Sequence, residues 1–212
     1  MATRPDYTRE LEQQIGSFEK GRAFSACDFI HIAPAGTVNR ALSRLADESK
    51  IRRIIQGVYD TPEYSSLLQE YAAPQIDEVA RALARKFNWT IAPSEETAMN
   101  ILHLSTQVPA TWTYVSDGPY RTYQFEQTKI VFKRKATREI KNLSTATLLL
   151  IQALRGLGKD RISEDSIRIL RRNLSAKDKV VIMNEIKTAP TWIYNSAAKI
   201  CEEGGEQYDK CC

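Results

Sequence analysis

The sequence predicts an α+β protein with a helical N-terminal segment that ends in a hairpin, followed by a mostly helical region with a small antiparallel sheet. Three observations support this prediction. Apolar residues recur at helical spacing over most of the chain, and short runs rich in β-branched and aromatic residues lie within 51–59 and 112–135. Both runs contain a tight-turn sequence. With 212 residues, of which 42% are hydrophobic, the chain can bury a sizeable core.

The first 62 residues predict a helix, a second helix, a turn, a third helix and a hairpin, in that order. The first helix covers residues 8–19, the second begins at Ser25, and a turn with proline and glycine occupies 33–36. Thr37 is the expected cap of the third helix. The hairpin turns at Gln56-Gly57. This order is that of a winged helix-turn-helix. The apolar stripe of the third helix consists of Val38, Ala41, Leu42, Leu45 and Ala46.

The rest of the chain predicts a second domain. The segment between residues 62 and 75 is expected to join a DNA-binding domain (1–66) to an α+β domain (75–202). A flexible tail is expected at 203–212. Within the second domain, helices are expected from residue 75 and from Ser94, followed by three strands within 112–135. Further helices are expected to begin at Ser144 or Thr145, Ser163, Ser175 and Pro190.

The net charge of +4 is unevenly distributed. Residues 1–64 hold 9 basic and 9 acidic groups, whereas residues 129–212 hold 17 basic and 10 acidic groups, a net charge of +7. Within the first block, residues 33–58 contain five basic and two acidic groups. This asymmetry indicates either a polyanionic partner or a solvated basic face, and charge alone favours neither.

If the apolar stripe of the third helix is buried, its polar side chains face outward. Arginine can form two hydrogen bonds with guanine, and asparagine can form two with adenine. Serine and threonine can donate a hydrogen bond to phosphate. Basic residues at the start of the hairpin could reach flanking phosphates or the minor groove. A solvated helix has the same outer face, and winged helices also serve as protein-interaction modules. The residues predicted to contact double-stranded DNA are Thr37, Asn39, Arg40, Ser43, Arg44, Lys50, Arg52 and Arg53.

Two further basic groups lie in the C-terminal third. The first could be a second DNA-facing patch, and the sequence leaves this open; its residues are Lys133, Arg134, Lys135 and Arg138. The second is expected to solvate the outer face of a helix that buries Ile167, Ile169 and Leu170, and it consists of Arg168, Arg171 and Arg172.

Several function classes are not supported by the sequence. Neither a phosphate-binding loop nor a dinucleotide fingerprint is present, and no Asp-x-Asp pair follows Gly16-Ser17. We therefore expect no catalytic residue, no cofactor and no enzyme activity. The four cysteines and two histidines lack the spacing of a zinc site, so no metal is expected. The longest apolar run, residues 148–151, is too short for a membrane span, and we expect a cytoplasmic protein.

Four segments carry a resemblance to a known family. TVNRALSRLADESKIRRIIQGVYDTP (37–62), LSTQVPATWTYVSDGPYRT (104–122), FKRKATREI (132–140) and IQALRGLGKDRI (151–162) resemble AbiEi-like antitoxins of type IV toxin–antitoxin systems. The resemblance runs from about residue 15 to about residue 195, and the middle segments are its most specific part. The acidic, cysteine-ended tail after Ile200 departs from it.

The resemblance implies an N-terminal DNA-binding domain and an α+β domain in a protein that represses its own operon. It also implies that the protein counteracts a nucleotidyltransferase-type toxin encoded beside it. The groove-facing role would then fall on the third helix and the wing role on Arg52 and Arg53. An operator with an inverted repeat is the expected DNA partner. The alternative is a stand-alone winged-helix regulator, or an interaction module, without a toxin partner.

Overall fold

The computed structural model describes residues 7–105, 107, 109–134 and 143–202. The protein is of the α+β class with small antiparallel sheets, as the sequence predicts. The helices are α1 (Tyr7–Gly16), α2 (Ala35–Asp47), α3 (Ile76–Phe87), α4 (Glu95–Ile101), α5 (Thr145–Leu157), α6 (Glu164–Asn173), α7 (Ala176–Glu185) and α8 (Thr191–Cys201). The strands are β1 (Ala23–Phe24), β2 (Arg52–Ile55), β3 (Val58–Asp60), β4 (Tyr64–Ser65), β5 (Glu70–Tyr71), β6 (Ile91–Pro93), β7 (Thr111–Ser116), β8 (Arg121–Phe125) and β9 (Thr128–Arg134).

The chain forms two compact units. The first contains Met1–Ile91, Ala110–Trp112 and Ser116–Lys135, and the second contains Ala92–Pro109, Thr113–Val115 and Ala136–Cys212. Compact units within one chain do not by themselves establish domains that fold alone. The domain limits expected from the sequence therefore stay a prediction.

The core of the first unit lies where α1 and α2 pack against aromatic side chains. Leu11 of α1 and Leu42 of α2 are completely buried, and Ile15 is nearly so. Phe24 and Phe29 contact each other edge to face at 5.6 Å between ring centroids. Apolar burial of this kind contributes about 1.5–3 kcal/mol for each large side chain. Burial of one helical face fixes which side of α2 is left for solvent.

The first unit carries a three-stranded antiparallel sheet in the order β1-β3-β2. Gly57 in the β2–β3 turn has a φ of 74°, a left-handed conformation that favours glycine. Arg52 lies opposite Asp60 in the register of the two strands. A separate two-stranded antiparallel sheet, β4-β5, pairs Tyr64 with Tyr71. A four-stranded sheet has the order β6-β7-β9-β8, in which β8 and β9 form an antiparallel hairpin.

The second unit has a core of helices. Leu150 and Leu154 of α5, Leu170 of α6, Ile182 of α7 and Ile193 of α8 are all fully buried. Serine side chains cap the helices where the sequence predicts helix starts. Ser144, Ser163 and Ser175 each accept a hydrogen bond from the backbone N–H three residues later. Pro190 precedes α8, also as predicted.

Several elements differ from the sequence prediction. The second helix of the N-terminal segment is a single 3-10 turn, Ala26–Phe29, closed by a capping box between Ser25 and Asp28. Helix α2 begins at Ala35 after Pro34, so Thr37 lies inside its first turn and does not cap it. The proline fixes the start of the helix three residues earlier than a threonine cap at Thr37 would. The segment expected to link two domains contains the β4–β5 hairpin, and the strands β1 and β6 were not predicted.

Across the described ranges, none of the helices combines the length and the apolarity that a membrane crossing requires. The predicted tail at 203–212 lies outside the described residues.

Candidate nucleic-acid interface

Helix α2 separates an apolar inner face from a polar outer face. Val38 and Leu42 are completely buried, and Leu45 is 1% exposed. Asn39, Arg40 and Arg44 are exposed, while Thr37 and Ser43 are half-buried. The residues at positions 39 and 43, and at 40 and 44, are four apart and therefore share one side of the helix. The predicted groove-facing residues of α2 thus lie together on one surface.

Two arginines dominate this surface. Arg40 donates a hydrogen bond from Nε to the carbonyl oxygen of Gly36, one turn earlier in its own helix, at 3.2 Å. Arg44 donates from Nη2 to the hydroxyl of Thr8 on α1 at 3.0 Å. Neither guanidinium forms an ion pair with a carboxylate among the described residues. No carboxylate among the described residues therefore compensates either charge, and both guanidinium groups can contact an external anion.

Arg53 extends the surface from α2 onto β2. Its Nη2 donates to Ser43 Oγ at 2.7 Å, and Asp47 Oδ1 lies 3.8 Å away. The Arg53 side chain is 44% exposed, and its guanidinium lies 5.7 Å from the centre of the Tyr59 ring. The long contact to the exposed Asp47 neutralises Arg53 weakly. Arg53 is therefore the residue of the hairpin that continues the α2 surface.

Lys50 differs from the arginines because two carboxylates surround it. Its Nζ lies 2.6 Å from Glu12 Oε1 and 3.1 Å from Glu48 Oε2. Hydrogen bonds to Glu12 and Glu48 raise the pKa of Lys50 above its ordinary value. The residue is charged, but its charge is already compensated locally. A phosphate would have to compete with both glutamates.

Arg52 points inward and has a structural role. It donates from Nε and Nη2 to the two carboxylate oxygens of Asp60, at 2.9 Å and 2.6 Å, and from Nη1 to the carbonyl of Ala72. Asp60 is completely buried. A buried carboxylate needs such a partner, because an unpaired charge in the interior is very costly. Arg52 therefore holds Asp60 and Ala72, and the wing contact predicted for it stays a prediction.

The tip of the β2–β3 hairpin is held by the following helix. Lys86 of α3 donates from Nζ to the carbonyl of Gln56 at 2.9 Å. A Cβ atom on Gly57 would lie 2.7 Å from the same Nζ. Burial lowers the pKa of Lys86. This contact fixes the position of the hairpin tip relative to α3.

The second basic patch is described only in part. Lys133 and Arg134 are exposed at the end of β9. Lys135 and Arg138 lie outside the described residues. The patch therefore stays a prediction.

Sequence reasoning missed the most exposed large apolar side chains among the described residues, at the tip of the β4–β5 hairpin. Leu67 is 90% exposed and Leu68 is 71% exposed, and Tyr64 and Tyr71 are also exposed. The signal available in the sequence was a Leu-Leu pair that fits no helical stripe. Among the described residues, no group of three or more His, Cys, Asp or Glu side chains could hold a metal ion.

Comparison with known proteins identifies the family of the chain. No curated protein and no solved structure matches the chain. Residues 10–182 match the family described as "Family of unknown function (DUF6088)", and this range covers both the α2 surface and most of the helical core of the second unit. The chain therefore belongs to this family of unknown function, DUF6088.

Proposed function

We propose that this protein is a DNA-binding regulator that contacts the duplex through the outer face of α2 and the adjoining Arg53. The observation that carries the proposal is the pair Arg40 and Arg44, one helical turn apart, exposed and without a carboxylate partner among the described residues. Arginine is the side chain best suited to bidentate contact with guanine or phosphate. The neighbouring Asn39 and Ser43 add hydrogen-bonding groups to the same side.

The proposed architecture is a winged helix-turn-helix in which α2 is the recognition helix. The order α1, 3-10 turn, α2 and β2–β3 hairpin supports it, as does the third strand β1 that completes a small sheet. In this arrangement the N-terminal half of α2 enters the major groove. The hairpin would serve as a short wing, with Arg53 near its base and its tip held by Lys86.

For the biological role, we propose an antitoxin that represses its own promoter in the cytoplasm. The resemblance of four sequence segments to AbiEi-like antitoxins supports this role. It implies a nucleotidyltransferase-type toxin as the functional partner. The test is to express the neighbouring reading frame with and without this protein. Growth arrest that this protein relieves would support the role, and a neighbour without toxicity would leave a stand-alone regulator.

The DNA-binding proposal is tested with the full chain and a labelled duplex from the region upstream of its gene. Arg40, Arg44 and Arg53, each neutralising one phosphate, predict a slope of about −2.7 in a plot of log K against log salt. Affinity measured by fluorescence anisotropy should then fall roughly 40-fold between about 50 mM and 200 mM salt. Absence of binding at the lower salt concentration would contradict the proposal.

A second candidate function, self-association, is favoured by the β4–β5 hairpin. An isolated two-stranded sheet is marginally stable, and its edges are ready to pair with another strand. We propose a second copy of this chain as the partner. A two-fold axis would bring identical edges and identical Leu67-Leu68 tips together, and it would match an operator with an inverted repeat.

Changing Leu67 and Leu68 together to Asp tests this candidate. The tip is exposed, so the fold should be retained, whereas a dimer should be lost in sedimentation velocity measurements. Changing the exposed Val180 of α7 to Asp is the matched control and should leave the mass unchanged. A wild-type protein that is monomeric at all concentrations, free and on DNA, would exclude this candidate.

A further inference from the structure

A cavity of about 340 Å³ lies beside the C-terminal ends of α1 and α2 in the first unit. Its apolar wall is made by Ile15 of α1, Leu45 of α2 and Ile51, all of which belong to the buried core, together with the ring of Phe18. Small-molecule sites in proteins are typically clefts of about 300–1,000 Å³ with mostly apolar walls and a few polar groups. The cavity is at the small end of that range.

Gly16 lines the cavity, and a Cβ atom built on it would meet nothing within 4 Å. The residue is the last of α1 and its backbone is helical, a conformation that any residue can adopt. Neither backbone strain nor close packing therefore requires glycine at this position. A larger side chain can be introduced at residue 16 without a clash at its Cβ atom.

The charged groups of the cavity leave one cation available. Glu12, Lys50 and Lys20 line it, and the first two pair with each other at 2.6 Å. Lys20 is exposed and forms neither a hydrogen bond nor an ion pair with the described residues. Thr61 also lines the cavity, and its buried hydroxyl lacks a hydrogen-bond partner among the same residues. A ligand with an apolar body and one negative charge complements this set.

We propose that this cavity binds a small aromatic carboxylate. The ring of the ligand would replace water against Ile15, Leu45 and Phe18, and its carboxylate would meet the ammonium group of Lys20. The proposal concerns ligand binding alone and does not depend on DNA binding. If α2 is the recognition helix, however, the ligand would touch Leu45 of that same helix and so act on its position.

The probe is 1-naphthoate, titrated into the full chain by calorimetry, with 1-naphthalenemethanol as the uncharged analogue. The acid should bind about two- to fivefold more tightly than the alcohol, because Lys20 is exposed and an exposed ion pair contributes at most about 1 kcal/mol. Lys20→Ala should remove this difference by weakening binding of the acid by the same factor, and it should leave the alcohol unchanged. Equal affinity of the two compounds for the wild-type protein, or absence of binding, would overturn the proposal.

Gly16→Leu adds a bulky side chain at the lining of the cavity and should weaken binding of both compounds. Circular dichroism checks that the variant is folded, and Lys20→Ala, at an exposed side chain, decides the question if it is not. Val180→Ser changes an exposed apolar side chain away from the cavity, so it is the control for adsorption to exposed apolar residues and should retain full binding. Unchanged binding by folded Gly16→Leu, or loss of binding by Val180→Ser, would place the ligand elsewhere and refute the assignment.

Discussion

Helices α2 and α6 carry the same sequence pattern and place their arginines in different environments. Both bury one apolar face and present arginines on the other. The first turn of α6 contains Glu164 and Asp165, and Arg168 lies 3.4 Å from Asp165. Arg171 donates to the carbonyl of Lys199 at 2.7 Å. The first turn of α2 has no acidic residue, and Arg40 contacts only a carbonyl of its own helix among the described residues.

The difference shows that an arginine stripe alone does not predict a binding surface. What matters is whether each guanidinium already has a partner in the folded protein. In α6 a carboxylate contacts Arg168 and a carbonyl group accepts a hydrogen bond from Arg171. The opposite face of α6 packs in the helical core. In α2 the charges remain available for an external anion. Arg52 and Arg53 repeat the contrast within one strand, because one points to Asp60 and the other to Ser43.

The largest effect is expected for Arg52→Ala, which tests the inward-facing side of the contrast. The substitution leaves the completely buried carboxylate of Asp60 without its partner. Removing one member of a buried pair typically costs about 3–5 kcal/mol of unfolding free energy. Urea denaturation followed by circular dichroism measures the loss. Arg53→Ala, at an exposed side chain, is the matched control and should cost less than about 1 kcal/mol. Equal losses for the two variants would contradict the structural role assigned to Arg52.

The second prediction tests the outward-facing side. Changing Arg40 and Arg44 together to Ala should lower the affinity for the upstream duplex at least about 100-fold, because each arginine would lose a charge-assisted contact with a phosphate worth about 1.5–3 kcal/mol. Changing Arg168 and Arg172 together to Ala removes the same net charge from α6. This control should alter the affinity by less than about threefold, and both affinities are measured by anisotropy at one low salt concentration. An equal loss for the two pairs would indicate general electrostatic attraction, with no special role for α2.

The sequence predicts the elements that depend on local patterning. The stripe from Val38 to Leu45 places α2 and its buried face correctly, since the 3.6-residue period leaves no alternative arrangement. Ser163 and Ser175 were predicted as helix starts, and Ser144 as one of two alternatives with Thr145, because the capping hydrogen bond is formed within four residues. The outer face of α2 follows from the same stripe.

The missed features depend on contacts between distant residues. The pairing of Arg52 with Asp60 requires the register of the hairpin, and that register shifts between Arg53 and Ile55. The hydrogen bond from Lys86 to the carbonyl oxygen of Gln56 joins residues 30 positions apart. The β4–β5 hairpin buries little apolar surface, so its strands show no inside and outside pattern in the sequence. The role of each basic residue therefore became visible only with its partners.

The third prediction concerns the carboxylate of Glu185, which links α7 to the start of α5 in the second unit. Glu185 at the end of α7 accepts hydrogen bonds from the backbone N–H of Ser144 and from the buried hydroxyl of Thr147, at 2.8 Å and 2.6 Å. Burial raises the pKa of Glu185, but the hydrogen bonds from Thr147 and Ser144 outweigh it and lower the pKa overall. A depressed pKa stabilises the folded state above the unfolded-state pKa, and this contribution is lost as the pH falls through the folded-state pKa.

Glu185→Gln should therefore cost about 1 kcal/mol of unfolding free energy at neutral pH. The cost should shrink as the pH falls below the ordinary carboxyl pKa, and it should be lost once the pH is below the lowered folded-state pKa of Glu185, where the wild-type carboxyl is also protonated. Urea titrations at several pH values measure it, with the exposed Glu202→Gln as the control. A cost that is the same at neutral and acid pH would show that shape alone, without charge, holds α5 to α7.

The smallest effect is expected for Lys50→Ala, although the sequence places Lys50 beside the arginines of the hairpin. Its ammonium group is already bonded to Glu12 and Glu48, so removing it exposes two carboxylates that a folded-state contact had compensated. The affinity for the upstream duplex should fall by less than about threefold, since Lys50 is bonded to both glutamates and makes no direct contact with a phosphate in the proposed interface. Changing Lys50 and Glu12 together to Ala should restore the wild-type affinity if repulsion by Glu12 causes the loss. A fall as large as that for Arg40 and Arg44 would mean that DNA draws Lys50 away from both glutamates, and the surface would then have to include the start of β2.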